Sequence, residues 1–406
     1  MKKIALVANA VALPGEKGLD RLAFLAELLT GCGYEVELIT SRFQHWHKAF
    51  RSKEQVAALD LPYRVSLVEE IGYSKNIQLK RILSYRRLAR NIKNHLYSNR
   101  YDLVYCLIPD NQIAAVAAQY AKAKNIPFLI DVEDLWPAAM RMVFDVPLIS
   151  DLIFSYYTHY ARKAYRLADG VIGSSDYYRD TALRYGTNAK YLQTVYVGNR
   201  LDAFDAGVRT HLASIDKEDG EFRVVYAGTL GTSYDIPTLI RAADSLKQQG
   251  VEQLHVVLLG DGPLRSDFEE LAAQLRGRVT FTGYVPFDVM AAHLAKADVT
   301  INSLVRKASQ SIVSKIGDYL AAGKPMINTG LDPEFRAKVE ADGFGINVEP
   351  ENPEALAAAI RRLMDDPIAR ATMGAAARQI GEAQFDRPVS YQKIVAMIDR
   401  LLSTQH

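Results

Sequence analysis

Only two cysteines occur in 406 residues, Cys32 and Cys106, far apart and in no metal-ligand spacing. That scarcity argues against a disulfide scaffold or a zinc site and suits a reducing compartment such as the cytoplasm. Long apolar runs are missing too. No segment approaches the roughly 18 uninterrupted apolar residues of a membrane-spanning helix. The opening MKKIALVANAVALPGEKG pairs two lysines with an apolar run, but the run is short and meets Asn9 and a Pro-Gly turn. It reads as a buried first strand rather than a leader. Acidic residues are absent from Ile71 to Tyr101, and no histidine precedes His45.

What is present describes a globular enzyme. Apolar residues make up 49% and charged residues 24%, values far from those of disordered or fibrous chains. The length exceeds one ordinary domain and fits two of about 200 residues. The net charge of +2 conceals an asymmetry: residues 1–198 hold 26 Lys and Arg against 19 Asp and Glu, whereas residues 199–406 hold 23 against 28. The halves have different electrostatic partners, or one rests on an anionic surface.

Short β-branched runs alternate with helical patterns throughout. KIALVAN, YEVELIT, YRVSLVE, YDLVYCLI, PFLIDVE and DGVIGSS lead the first half; RVVYAGTLG, LHVVLLGDGP, VTFTGYVP, ADVTINS, KPMINTG and FGINVEP the second. Such alternation predicts α/β architecture with parallel sheets, here two doubly wound Rossmann-like domains in tandem. The break falls near Val197 to Gly220, where a polar, turn-rich stretch precedes the strand beginning at Phe222. The predicted domains are residues 1–198 and 199–385, with a last helix over 386–406.

The most telling segment is Ser309 to Gly323, SQSIVSKIGDYLAAG, followed by KPMINTG. It reads as a polar loop, a helix start, an amphipathic helix closed by glycine, and a buried strand. A helix start offers unpaired backbone N–H groups to a phosphate. Ser311 and Ser314 add hydroxyls, Lys315 a point charge, and Asp318 a carboxylate able to accept from a diol.

This segment resembles the nucleotide-sugar site of retaining, family 4-like glycosyltransferases (glycosyl transferases group 1) of the GT-B fold. The family motif there is E-x7-E, and the two positions read Gln310 and Asp318 here. The resemblance implies that Gln310 contacts the transferred sugar and Asp318 the ribose. Three further loops follow the family's order. YAGTLGTSYDI holds Gly228 and Gly231; where many members carry two cations, this chain has Thr229 and Tyr234, which leaves the diphosphate charge to Lys315, Arg306 or helix starts. LLGDGP holds Gly260 and Gly262, which suit either a close ligand or a tight turn before Pro263. FTGYVPFD brings Tyr284 and Val285, whose backbone can pair with a base. The wording of these loops is similar to the bacterial branch that makes capsular polysaccharide and exopolysaccharide.

In the first half, VALPGEKGLDR places Gly15 and Gly18 after the first strand, and Gly18 is the better candidate for lying over the donor. The missing early histidine favours the retaining class, although Asp20 remains available as a base. LIDVEDLWPAAM puts Glu133 where the family carries a histidine close to the transferred sugar; Glu133 could equally cap a helix near Pro137. Asp131-Val132-Glu133 imitates a D-x-D metal motif outside its usual context, so metal binding is not expected. Lys75, Lys80, Arg81, Arg86, Arg87, Arg90, Lys93 and Arg100, interleaved with apolar residues, read as a basic amphipathic helix for anionic lipid or a pyrophosphate-linked acceptor. A second segment combines aromatics with Arg162, Lys163 and Arg166. No nucleic-acid reader module is present.

The resemblance implies a GT-B enzyme with an N-terminal acceptor domain, a C-terminal donor domain and a tail crossing back to the first. It further implies a peripheral protein of the inner membrane face that takes a nucleotide-sugar, UDP before GDP, as substrate and needs no cofactor. A lipid-linked saccharide would be the acceptor. A non-hydrolysing UDP-sugar epimerase of the same fold and a non-catalytic binding protein are the alternatives.

Overall fold

Each apolar run named above becomes a strand of one of two parallel sheets in the computed structural model. The model describes residues 1–16, 18–75, 78–136, 149–308 and 312–404, with all side chains among them except those of residues 149–153. The strands of the first half are β1 (Lys3–Val7), β2 (Glu35–Ser41), β5 (Arg64–Val68), β6 (Leu103–Ile108), β7 (Phe128–Val132), β8 (Gly170–Gly173) and β9 (Tyr191–Thr194). They line up in the order β5-β2-β1-β6-β7-β8-β9. Leu6 of β1 lies opposite Leu38 on one side and Tyr105 on the other, so β1 and β6 flank the point where the order reverses. β6 and β7 are buried along their whole length because helices cover both faces, which explains continuous apolar runs rather than alternation. A short antiparallel pair, β3 (Phe43–Gln44) and β4 (Ala49–Phe50), was not apparent from the sequence pattern.

The second sheet repeats the topology with β10 (Phe222–Ala227), β11 (Leu254–Leu259), β12 (Val279–Gly283), β13 (Val299–Asn302), β14 (Met326–Asn328) and β15 (Gly345–Asn347). Their order is β12-β11-β10-β13-β14-β15, reversing between β10 and β13. Helix starts follow local chemistry. Asp235, Asp332, Asn352 and Asp366 cap helices that carry proline in the first turn, each accepting a backbone N–H.

The chain divides into two compact units, Met1–Tyr196 with Tyr391–His406, and Val197–Ser390. The final helix, Gln392–Ser403, buries Ile394, Val395, Met397, Ile398, Leu401 and Leu402 in the core that holds β1 and the helix Arg21–Gly31. Two segments therefore connect the units. Inside the second unit they run side by side: Asn199 N–H donates to Phe385 O (2.9 Å) and Arg387 N–H to Asn199 O (2.9 Å). Inside the first unit one buried side chain receives both. Arg21, with no exposed surface, donates to Val195 O (3.2 Å), Tyr196 O (3.1 Å) and Tyr391 Oη (3.0 Å). Among the described residues no helix is long and apolar enough to cross a membrane.

Candidate functional site

The loop after β10 opens at the carboxyl edge of the second sheet beside β13, where open α/β sheets bind ligands. Lys315 enters this loop from the next element. It lies in a turn with Ser314 just before the short helix Ile316–Ala321. The helix is fastened to β10 by Tyr319, whose hydroxyl accepts from Ala227 N–H (2.9 Å) and donates to Ala227 O (3.0 Å).

Lys315 Nζ donates to Tyr226 Oη (3.1 Å). It lies 4.2 Å from the ring centroid of Tyr226 and 3.9 Å from that of Tyr234. A Cβ on Gly228, whose φ is +152°, would come within 2.5 Å of the ammonium. Glycine at 228 is thus what makes room for the cation. No carboxylate among the described residues pairs with Lys315, and burial holds its pKa well below the ordinary lysine value. Cation–π attraction compensates only part of the lost hydration, about 0.5–2 kcal/mol. An incoming anion would restore the full charge. Tyr234 supplies a ring face to Lys315 in place of a second cation in this loop.

The other loop glycines have a packing reason. Gly228 N–H donates to Leu259 O (2.9 Å), Gly260 N–H to Gly283 O (2.8 Å) and Leu230 N–H to Asp261 O (3.0 Å). A Cβ on Gly260 would stand 1.9 Å from Gly228 O, and one on Gly262 2.2 Å from Leu230 O. The loops after β10, β11 and β12 interlock through these backbones, so the turn explanation of LLGDGP accounts for both glycines. Thr229 and Tyr284 are exposed, and Val285 is half-buried. Arg306 lies 3.7 Å from Glu349 rather than beside Lys315. Gln310 and Ser311 lie outside the described residues.

Asp318 Oδ1 accepts from Asn199 Nδ2 (2.9 Å), on the segment that joins the units. Burial raises its pKa to about 6 from an ordinary 3.8. The unfolded chain therefore releases this proton first as pH rises, and the folded state loses stability between about pH 4 and 6 before levelling off. Asp318→Asn keeps an acceptor for Asn199 and removes the titration. Urea unfolding at pH 4 and pH 7 should show the variant gaining stability relative to wild type over that interval. Parallel pH profiles would mean that another group sets the slope.

In the first unit Gly18 packs against Trp46: a Cβ there would meet the indole at 2.4 Å, so steric need already explains the residue. Glu133 Oε1 lies 3.2 Å from Arg21 Nε, and Arg21 Nε also donates to Asp131 Oδ2 (2.8 Å), which accepts from Tyr105 Oη (2.6 Å) as well. Glu133 is therefore engaged by a buried cation at the end of β7; the residues from Pro137, where Glu133 was the alternative helix cap, lie outside the described residues. Three residues passed over in the sequence stand at the end of β6. Asp110, Asn111 and Gln112 are buried, and each has one side-chain polar atom without a hydrogen-bond partner among the described residues. Burial pushes the Asp110 carboxyl up to about 7 although it caps the helix Asn111–Lys124. No local sequence pattern announces that burial.

Comparison with known proteins follows this division of the chain. Residues 20–199 match the family described as "Glycosyl transferase 4-like domain" and residues 221–366 that described as "Glycosyl transferases group 1". Both halves are glycosyltransferase-family domains. The alpha-D-kanosaminyltransferase of Streptomyces kanamyceticus is 28% identical over 165 residues, 40% of this chain and 41% of that protein. The GDP-mannose-dependent alpha-(1-6)-phosphatidylinositol monomannoside mannosyltransferase of Mycobacterium tuberculosis is 31% identical over 156 residues, 36% of this chain and 40% of that one. The matches thus span about two fifths of these curated relatives. Among solved structures, sucrose-phosphate synthase from Thermosynechococcus elongatus superimposes with a TM-score of 0.74 at 18% identity, covering all of both chains. The glycosyltransferase-family fold is accordingly GT-B, built of two Rossmann-like domains.

Proposed function

We propose that the protein is a retaining glycosyltransferase that moves a hexose from a nucleotide-sugar, UDP-linked by preference, to a lipid-linked saccharide in bacterial surface polysaccharide assembly. The observation that carries this reading is Lys315: a cation without a counter-charge among the described residues, held by two rings at the switch point of the second sheet. A diphosphate leaving group supplies the charge that site lacks. In the proposed reaction the bond between anomeric carbon and diphosphate breaks, and the acceptor hydroxyl bonds to the same face. Its proton passes to the departing phosphate oxygen. Stabilising the leaving oxyanion then matters more than a side-chain base, and neither a metal nor another cofactor is called for.

In this reading the second unit binds the donor and the first unit the acceptor. The family roles carried by resemblance put Gln310 and Glu133 near the transferred sugar, Asp318 at the ribose, and Tyr284 and Val285 at the base. A lipid-borne acceptor is supported by the helix Leu79–Tyr97, whose exposed Lys80, Arg86, Arg87, Arg90 and Lys93 surround exposed Leu79 and Leu83. That composition suits the anionic inner face of a membrane, where the protein would sit peripherally on the cytoplasmic side.

A donor screen against membranes and lipid-linked oligosaccharide extracts, reading UDP and GDP release, tests the proposal. Acceptor-dependent release of UDP with retention at the anomeric centre is the expected result. Interconversion of UDP-sugars without acceptor would replace it with an epimerase; tight nucleotide binding with no turnover on any donor would leave a binding protein.

A further inference from the structure

A basic hollow lies on the helical face of the first unit, away from the residues discussed so far. The helices Asn111–Lys124 and Ile149–Leu167 pack against each other and leave between them a concavity of about 710 Å³. One wall carries Gln119, Lys122 and Ala123; the other carries His159, Arg162, Lys163 and Arg166. Both sets follow helical spacing of three and four residues, so each forms a single stripe facing the groove. The apolar stripe of the second helix, Tyr157, Ala161, Ala164 and Tyr165, is buried elsewhere in the core.

Four full cations and a histidine therefore face one hollow, with no carboxylate in its lining among the described residues. Residues 111–124 and 152–167 contain no Asp or Glu; the one acid of the two helices, Asp151, stands in the first turn of Ile149–Leu167, eight or more residues before the residues of that helix that line the groove. No ion pair reaches Lys122, Arg162, Lys163 or Arg166 from the described residues. Like charges at neighbouring helical positions destabilise a helix, and here Arg162 and Arg166 stand four apart, with Lys163 between them and Lys122 across the groove. A solvated basic face would scatter such charges among acids. Concentrating them around a hollow of ligand size makes an anion site, and guanidinium forks favour phosphate oxygens.

We infer that this groove binds a phosphate dianion, of the kind borne by a phosphomonoester or diphosphate headgroup. It stands apart from the Lys315 site and from the transfer reaction, so its test is independent of both. Full-length protein is sedimented with phosphatidylcholine vesicles containing phosphatidic acid, and with vesicles containing phosphatidylglycerol at matched surface charge. Binding to phosphatidic acid should be the stronger. Arg162→Gln with Arg166→Gln should weaken it by about tenfold or more while thermal unfolding stays unchanged. Arg87→Gln with Arg90→Gln, on the helix Leu79–Tyr97, should weaken both vesicle types alike. Competition by free pyrophosphate would identify a soluble phosphate as a sufficient ligand; lack of competition, with the other results as expected, would tie the groove to lipid-borne phosphate. Equal binding to both vesicle types, or a groove variant indistinguishable from wild type, would overturn the inference.

Discussion

Lys315→Ala is expected to lower the transfer rate by about 100-fold or more, the scale seen when one preorganised contact to a developing oxyanion is removed. The argument rests on surroundings rather than on charge alone. Two tyrosine rings and the Gly228 backbone leave the ammonium poorly hydrated, and its pKa is held low by burial. Such a group gains charge stabilisation when a diphosphate arrives, so at a pH above the lowered pKa of the free lysine nucleotide binding should be accompanied by proton uptake. Calorimetry in buffers of different ionisation enthalpy reads that uptake, and the alanine variant should abolish it. Folding should survive, because losing a desolvated cation removes no ion pair. Unchanged turnover in Lys315→Ala, with proton uptake also unchanged, would refute the assignment of the donor site. Full turnover with proton uptake lost would leave Lys315 a binding group only.

Arg21→Met should be the most destabilising single change considered, costing about 3–5 kcal/mol in urea unfolding. Burial opposes the charge of Arg21, but Asp131, with Tyr391 and Glu133 close by, keeps its pKa above the ordinary arginine value. Removing it strands Asp131 in the core and frees the carbonyls of Val195 and Tyr196. Tyr391→Phe deletes the hydrogen bond from Arg21 and should cost only about 1 kcal/mol. Arg21→Met combined with Asp131→Asn should recover much of the loss, since the uncompensated carboxylate is then gone. An additive double variant would show that the cost lies in packing and not in the stranded charge.

Strands were the legible part of this protein. Parallel strands covered on both faces are continuous apolar runs, and that signal is local, so β1, β6, β7, β10 and β11 could be read directly. β9 escaped because Tyr191–Thr194 is a half-buried edge strand without such a run. The tight loops were readable as glycine positions, yet not their cause: only the fold brings Trp46 against Gly18 or Gly228 against Lys315. Nothing near Arg21 in sequence forecasts Asp131 or Tyr391 as partners, which lie 110 and 370 residues away. The tyrosine corner around Lys315 was hidden similarly, since Tyr226 belongs to a strand 89 residues earlier. Pairing across such distances is set by topology, not by spacing.

The place of the last helix has a consequence for how the polypeptide emerges during translation. Residues 197–390 are continuous, so that unit can complete its core as soon as its own residues clear the ribosome. The first unit must wait for residues 391–402 before Tyr391 and the apolar face of that helix close over its sheet. What is synthesised first is finished last. A nascent chain stalled before residue 391 should therefore expose a protease-sensitive amino-terminal half beside an already resistant carboxyl-terminal one.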